Sequence, residues 1–126
     1  MLSTYGARFG LDREMAFRLA GVFGSGMGRG DTCGAVTGAF MVIGLKHGKT
    51  KGSDDASQER TDELARQFAE RFIARNSSIV CRELLGCDIS TSEGLKAAKK
   101  EKYFKKRCPK FVQDAAEILE ELLKVE

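Results

Sequence analysis

From Cys33 to Leu45 the chain runs thirteen residues with Thr37 as its only polar side chain, and small residues are concentrated at its start. The run is too short to cross a bilayer and reads as a buried helix. Gly34 and Gly38, four apart beside Ala35 and Ala39, give that helix a smooth face that a neighbour can approach closely. Its small residues place it centrally, so the rest of the chain has to supply amphipathic helices to cover it. Two segments do this. Leu64, Phe68 and Phe72 repeat every four residues among charges, and Phe111, Val112, Ala115, Ala116, Ile118, Leu119, Leu122 and Leu123 form a broad apolar face. No β-alternation, internal repeat or composition shift interrupts the pattern. With one proline, no tryptophan and 31% charged residues, the 126-residue chain reads as an all-α protein. Residues 1–126 form one domain of about five to six helices, large enough to fold without a metal or disulfide.

Punctuation residues set the boundaries. Asp12 caps a short helix in which Met15, Phe17, Leu19, Val22 and Phe23 supply apolar surface, after another helical turn upstream. Asp31 is the expected N-cap of the central helix, which ends at Lys46-His47-Gly48 with His47 as a helix-end cation. Lys49 to Ala56 reads as an exposed connection, and Ser57 to Arg75 as the next helix. Ser77-Ser78 would cap a helix over Ile79 to Leu85, closed by Gly86. Ser90-Thr91-Ser92-Glu93 has capping-box spacing for a helix through about Lys99. Pro109 suits the first position of the last helix.

The chemistry concentrates just ahead of the central helix. Gly24, Gly26, Gly28 and Gly30 alternate along a loop that delivers Cys33 onto the helix start, where unpaired amides and the helix dipole favour a thiolate. Cys81 and Cys108 also fall in expected first turns, whereas Cys87 follows Gly86 in a loop. Three helix starts could converge on one electropositive pocket. The cysteines contain no Cys-x-x-Cys pair, so a shared site has to be assembled by folding. A Cys-His hydrolase is disfavoured because His47 is the chain's one imidazole, placed at a helix end. Gly26, Gly28, Gly30 and Asp31 also form a candidate cradle for an anion or cofactor. No strand precedes the loop and no P-loop lysine follows it, so neither a Rossmann nor a P-loop site is indicated. The bland alternative is a tight crossing of backbone on backbone, with the cysteines as packing.

Charge is unevenly placed. Between Lys96 and Lys110 there are eight lysines and arginines against the single acid Glu101, with Tyr103 and Phe104 among them. The segment reads as a solvated helix face that would favour a Cys108 thiolate or attract an acidic partner. Compensating acids at Glu117, Glu120 and Glu121, and the lack of a recognition motif, argue against nucleic acid. The amino terminus lacks an apolar run of signal-peptide length, so a cytoplasmic location is expected, with the four cysteines as free thiols, redox-cycling pairs or metal ligands.

Gly10-Leu11-Asp12, the stretch Gly24 to Gly38 with its Cys33-Gly-Ala-x-x-Gly38 core, Cys81-Arg-Glu-Leu-Leu-Gly86 and Arg107-Cys108-Pro109 together resemble a family of bacterial and archaeal proteins. It is known by its C-GCAxxG-C-C cysteine pattern, and a redox role is ascribed to it. The resemblance spans nearly the whole chain and implies a small helical protein in which Cys33, Cys81 and Cys108 are the matching site residues. It also implies a further cysteine upstream of the region where Met1 begins, and this sequence has none before Cys33. The combined expectation is a redox site of Cys33, Cys81 and Cys108, either thiol/disulfide or binding an iron–sulfur centre or other thiolate-bound metal, with Cys33 the most activated. The alternative is a non-catalytic helical module that binds an anion or an acidic protein. Either reading calls for a partner, a redox protein or small ligand rather than a membrane, and the smooth central helix also offers a surface for self-association.

Overall fold

A computed structural model describes residues 1–124. Its centre is helix α3, Gly34–His47, in which Ala35, Val36, Gly38, Ala39, Val42 and Ile43 are buried. Around it stand α1 (Leu2–Tyr5), α2 (Arg13–Ala20), α4 (Asp55–Asn76), α5 (Cys81–Leu85), α6 (Ser92–Lys100) and α7 (Tyr103–Leu123), with a 3-10 helix over Gly6–Phe9. The described residues are all-helical. They contain eight helices rather than five or six, because the amino-terminal segment divides into two four-residue pieces too short to show a periodicity of their own. No helix among them is long and apolar enough to cross a membrane.

The caps account for most of the boundaries. Asp12 accepts the Met15 amide at 3.1 Å, Asp54 accepts the Ser57 amide at 3.1 Å, and Thr91 accepts the Gly94 amide at 3.0 Å. Three starts differ from expectation. The central helix begins at Gly34 with Cys33 itself at the N-cap, because the Asp31 carboxylate is turned away to Arg82 at 3.3 Å. Helix α5 begins at Cys81 rather than Ile79, since Ile79 and Val80 are held extended by a bridge to the glycine loop. The last helix begins at Tyr103, six residues ahead of Pro109, after Lys102 breaks the chain from α6 at a φ of 58°. The intervening lysines and arginine are good helix formers, and the proline removes one internal hydrogen bond without ending the helix.

Two apolar clusters result. The larger joins α1, α2, α3, α4 and α7, with Phe68, Phe72, Ile118 and Leu119 fully buried. Phe40, Phe68, Phe72 and Phe111 run through it as successive ring contacts of 5.8, 6.1 and 6.4 Å between centroids, tying α3 to α4 and α7. The smaller cluster consists of Cys81, Leu85, Ile89 and Ala98, with Cys87, Leu95, Tyr103, Phe104 and Cys108 packed against it. Helix α2 departs from its expected part in the core: it buries Ala16 alone, and Met15, Phe17 and Leu19 remain about half exposed. Of these, Leu19 borders an apolar groove of about 430 Å³ between α1, α2 and α3, with Leu2, Phe23 and Met41 among its other walls.

Candidate functional site

The glycine loop is the scaffold of the site. Ser25, Gly26, Met27 and Gly28 all lie in the left-handed region, with φ of 55°, 61°, 62° and 70°. Side chains are disfavoured there, so two of these four residues are strained. At Gly26 even a methyl group would fall 2.4 Å from the Asp31 nitrogen, and the Gly26 carbonyl accepts the Asp31 amide at 3.1 Å. The turn thus closes on itself and aims residues 31–33 across the molecule. Gly34 has a different reason for its identity: a Cβ there would lie 3.3 Å from the Gly24 Cα and from the Phe23 carbonyl oxygen. The backbone crossing expected as the bland alternative is therefore present, and it is what holds Cys33 in place. Gly30 is buried against Arg82 and Ile89, whereas Gly28 faces open space.

Thr32 and Val80 form an isolated antiparallel bridge. The Cys33 amide donates to the Ile79 carbonyl at 2.7 Å, and the Cys81 amide donates to the Asp31 carbonyl at 2.5 Å. Each strand-like segment ends in a cysteine that starts a helix: Cys33 at the N-cap of α3 and Cys81 as the first residue of α5. Because both lie one residue beyond the bridged pair, their side chains fall on the same face of this short ribbon. Two cysteines forty-eight positions apart are thereby brought together by main-chain bonds.

Cys108 arrives from α7. It lies in the second turn of that helix rather than at its start, so no unpaired amides of the helix end serve it. It lines a cleft of about 150 Å³ with Cys33, Ser25, Phe104 and Phe111. Arg107 ties α7 to α5: its guanidinium lies 4.1 Å from the Tyr103 ring centroid and donates to the Leu85 carbonyl at the end of α5. Cys87 packs against the smaller core beside Cys81 and Cys108, a closer association than its loop position suggested.

Burial decides the ionisation of these thiols. Cys33 is pushed above the ordinary thiol value by desolvation, against which the Ala35 and Val36 amides pull it down. The Cys33 side chain caps no helix amide, and the Val36 amide donates to the Cys33 carbonyl at 2.9 Å, so burial prevails. Cys81 is pushed up to about 11, first by burial and then by negative charge at Cys33, Cys108 and Cys87. Cys108 rises through burial and then through the charge of Cys33. The helix-start location therefore does not make Cys33 a thiolate at neutral pH. The lysines near Cys108 do not lower it either, because they extend into solvent while the thiol is half buried. The charge of Cys33 acts on both Cys81 and Cys108, so these thiols titrate as a coupled set.

All four cysteines are free thiols. Among the described residues no group of three or more His, Cys, Asp or Glu side chains is arranged to hold a metal ion. The thiols are neighbours without forming such a ligand set in this conformation. His47 is not the expected helix-end cation: Arg60 donates to its Nδ1 at 3.2 Å, and burial, then Arg60 and Lys46, hold its pKa below the usual value.

The described residues thus make an all-helical protein with two apolar clusters, in which Cys81 is buried and Cys33, Cys87 and Cys108 are half-buried. The family model described as "Putative redox-active protein (C_GCAxxG_C_C)" matches residues 1–122, and the chain belongs to that family. Searches of curated proteins and of solved structures give no significant match.

Proposed function

We propose that the chain is a cytoplasmic thiol–disulfide redox protein in which Cys33, Cys81 and Cys108 exchange electrons with a partner disulfide. One observation supports this reading: the Thr32–Val80 bridge sets the backbones of Cys33 and Cys81 side by side, and Cys33 lines one cleft with Cys108, so three cysteines far apart in sequence are neighbours. Packing alone gives no reason for such a gathering.

Cys33 is the attacking thiol in this scheme, because it opens onto the cleft from the N-cap of α3, where the helix start favours its charged form. Its thiolate attacks one sulfur of the partner disulfide and expels the other as a thiolate. A neighbouring thiol, Cys81 or Cys108, then loses its proton and attacks the Cys33 sulfur, releasing the partner's second thiol. The protein has lost two protons and two electrons and gained one S–S bond, while the partner disulfide has become two thiols. The raised thiol values match a resting dithiol that reacts only when a substrate enters.

Oxidation of the reduced protein by a small disulfide, followed by non-reducing peptide mapping, tests the scheme. The expected product has one intramolecular disulfide linking Cys33 to Cys81 or to Cys108. Oxidation confined to intermolecular links through Cys87 would overturn the scheme.

A further inference from the structure

The positive charge of this protein is gathered on one segment, which runs from α6 into the part of α7 that carries Cys108. The fifteen residues from Lys96 to Lys110 hold eight basic side chains and one acid, while the other 111 hold thirteen basic and seventeen acidic ones. The net charge of +3 thus divides into +7 on this segment and −4 on the remainder. Few of these cations are used internally. Lys110 pairs with Asp114 at 2.7 Å and Arg107 is held by Tyr103 and Leu85. Lys96, Lys99, Lys100, Lys102, Lys105 and Lys106 pair with no acid among the described residues.

This charge is shaped as well as concentrated. Lys99, Lys102 and Lys105 line a second cleft of about 230 Å³ with Ala98 and Phe104. Phe104 also lines the cleft that exposes Cys33 and Cys108, so one ring separates a cationic hollow from the thiols. Cys108 lies one turn beyond Phe104 on α7, and Lys105 lies three residues before Cys108. Residues three and four apart share a helix face. A molecule with its sulfur at Cys33 or Cys108 would therefore place atoms a few bonds away over Phe104 and among the three lysines.

Resting on the redox reading above, we propose that this cationic hollow selects the substrate, and that the substrate is a carboxylate-bearing disulfide. The carboxylate sits among Lys99, Lys102 and Lys105, and the disulfide reaches past Phe104 to the thiols. Fields of this kind raise encounter rates by at least about tenfold and weaken with added salt. The lysines hold the substrate and take no part in bond making.

Stopped-flow rates of the reduced protein with three probes test this: dianionic dithiobis(nitrobenzoate), neutral dithiodipyridine and dicationic cystamine, each divided by its rate with mercaptoethanol. The expected order is anionic over neutral over cationic, with about a tenfold preference for the first over the second at low ionic strength. The exposed substitutions Lys99→Gln, Lys102→Gln and Lys105→Gln, made together, should abolish that preference. Lys49→Gln with Lys51→Gln, a charge change in the distant connection, should leave it intact. Glutathione disulfide and a glutamate-rich peptide disulfide then separate the two sources: the one that keeps the lysine-dependent preference is the source, and a preference in both makes the carboxylate alone the determinant. Equal normalised rates for the three charge types, or a preference that survives the triple substitution, would overturn the inference and leave the redox reading standing. Failure of every probe to react with the native protein would remove both.

Discussion

Cys81 shows what the surroundings do to a single residue. As the first residue of α5 it occupies a position where a thiolate is ordinarily favoured, yet only 6% of its surface is exposed and three other thiols surround it. Desolvation and like charge act in the same direction and keep it protonated to about pH 11. In the unfolded chain the same thiol ionises near its ordinary value of 9.0. Above that value the unfolded state releases a proton that the native state retains, so the stability contributed by the neutral thiol is present below pH 9 and is lost as pH rises toward 11. Urea unfolding of the reduced protein should therefore show a steeper alkaline loss of stability than Cys81→Ala does. Tyr5 adds its own decline at higher pH, because burial and its 2.8 Å hydrogen bond to Glu120 push its phenol up to about 12. The comparison with the Cys81 variant isolates the thiol contribution. Parallel pH profiles would contradict the burial account.

At the scale of elements, two devices assemble the site. The glycine loop stores strain in Ser25 and Met27 to deliver Cys33. Met27→Gly relieves one left-handed side chain and should stabilise the protein by about 1 kcal/mol in urea unfolding, whereas a loss of stability would show that the Met27 side chain packs usefully. Arg107 is the second device. Arg107→Ala removes both the ring contact and the bond to Leu85, with an expected cost of about 1–2 kcal/mol and slower oxidation, because α5 and α7 each carry one of the thiols. An unchanged oxidation rate would show that the two helices hold their spacing without it. Much of this level was legible from sequence. Asp12 and the Ser90–Glu93 stretch mark helix starts because a capping side chain acts on amides two or three residues away, whereas α4 starts at Asp55 on an Asp54 cap, two residues ahead of the expected Ser57. The starts at Cys33, Cys81 and Tyr103 were not legible. Each depends on a distant partner or on a residue in an unfavoured conformation: the Thr32–Val80 bridge, the Asp31–Arg82 pair, and Lys102 at positive φ.

For the molecule as a whole, the central position of α3 followed from its small and apolar residues, whereas the motif shared by Cys33, Cys81 and Cys108 did not say how close they come: that depends on the Thr32–Val80 bridge and on the path of α7. Their chemistry did not follow, since helix-start placement suggested ionised thiols while the junction of two cores keeps them neutral. Arg107 and Phe104 also become site residues only once α7 extends back to Tyr103. The exposed apolar face of α2 marks the limit of periodicity, which identifies apolar stripes without saying whether another element covers them. The central claim is that the cluster is one two-electron unit. Counting free thiols after equilibration across a series of dithiol/disulfide redox buffers tests it most directly. A single transition from four free thiols to two, abolished in Cys33→Ser with the fold intact, is the predicted result; four free thiols throughout, or an unchanged transition in Cys33→Ser, would contradict it.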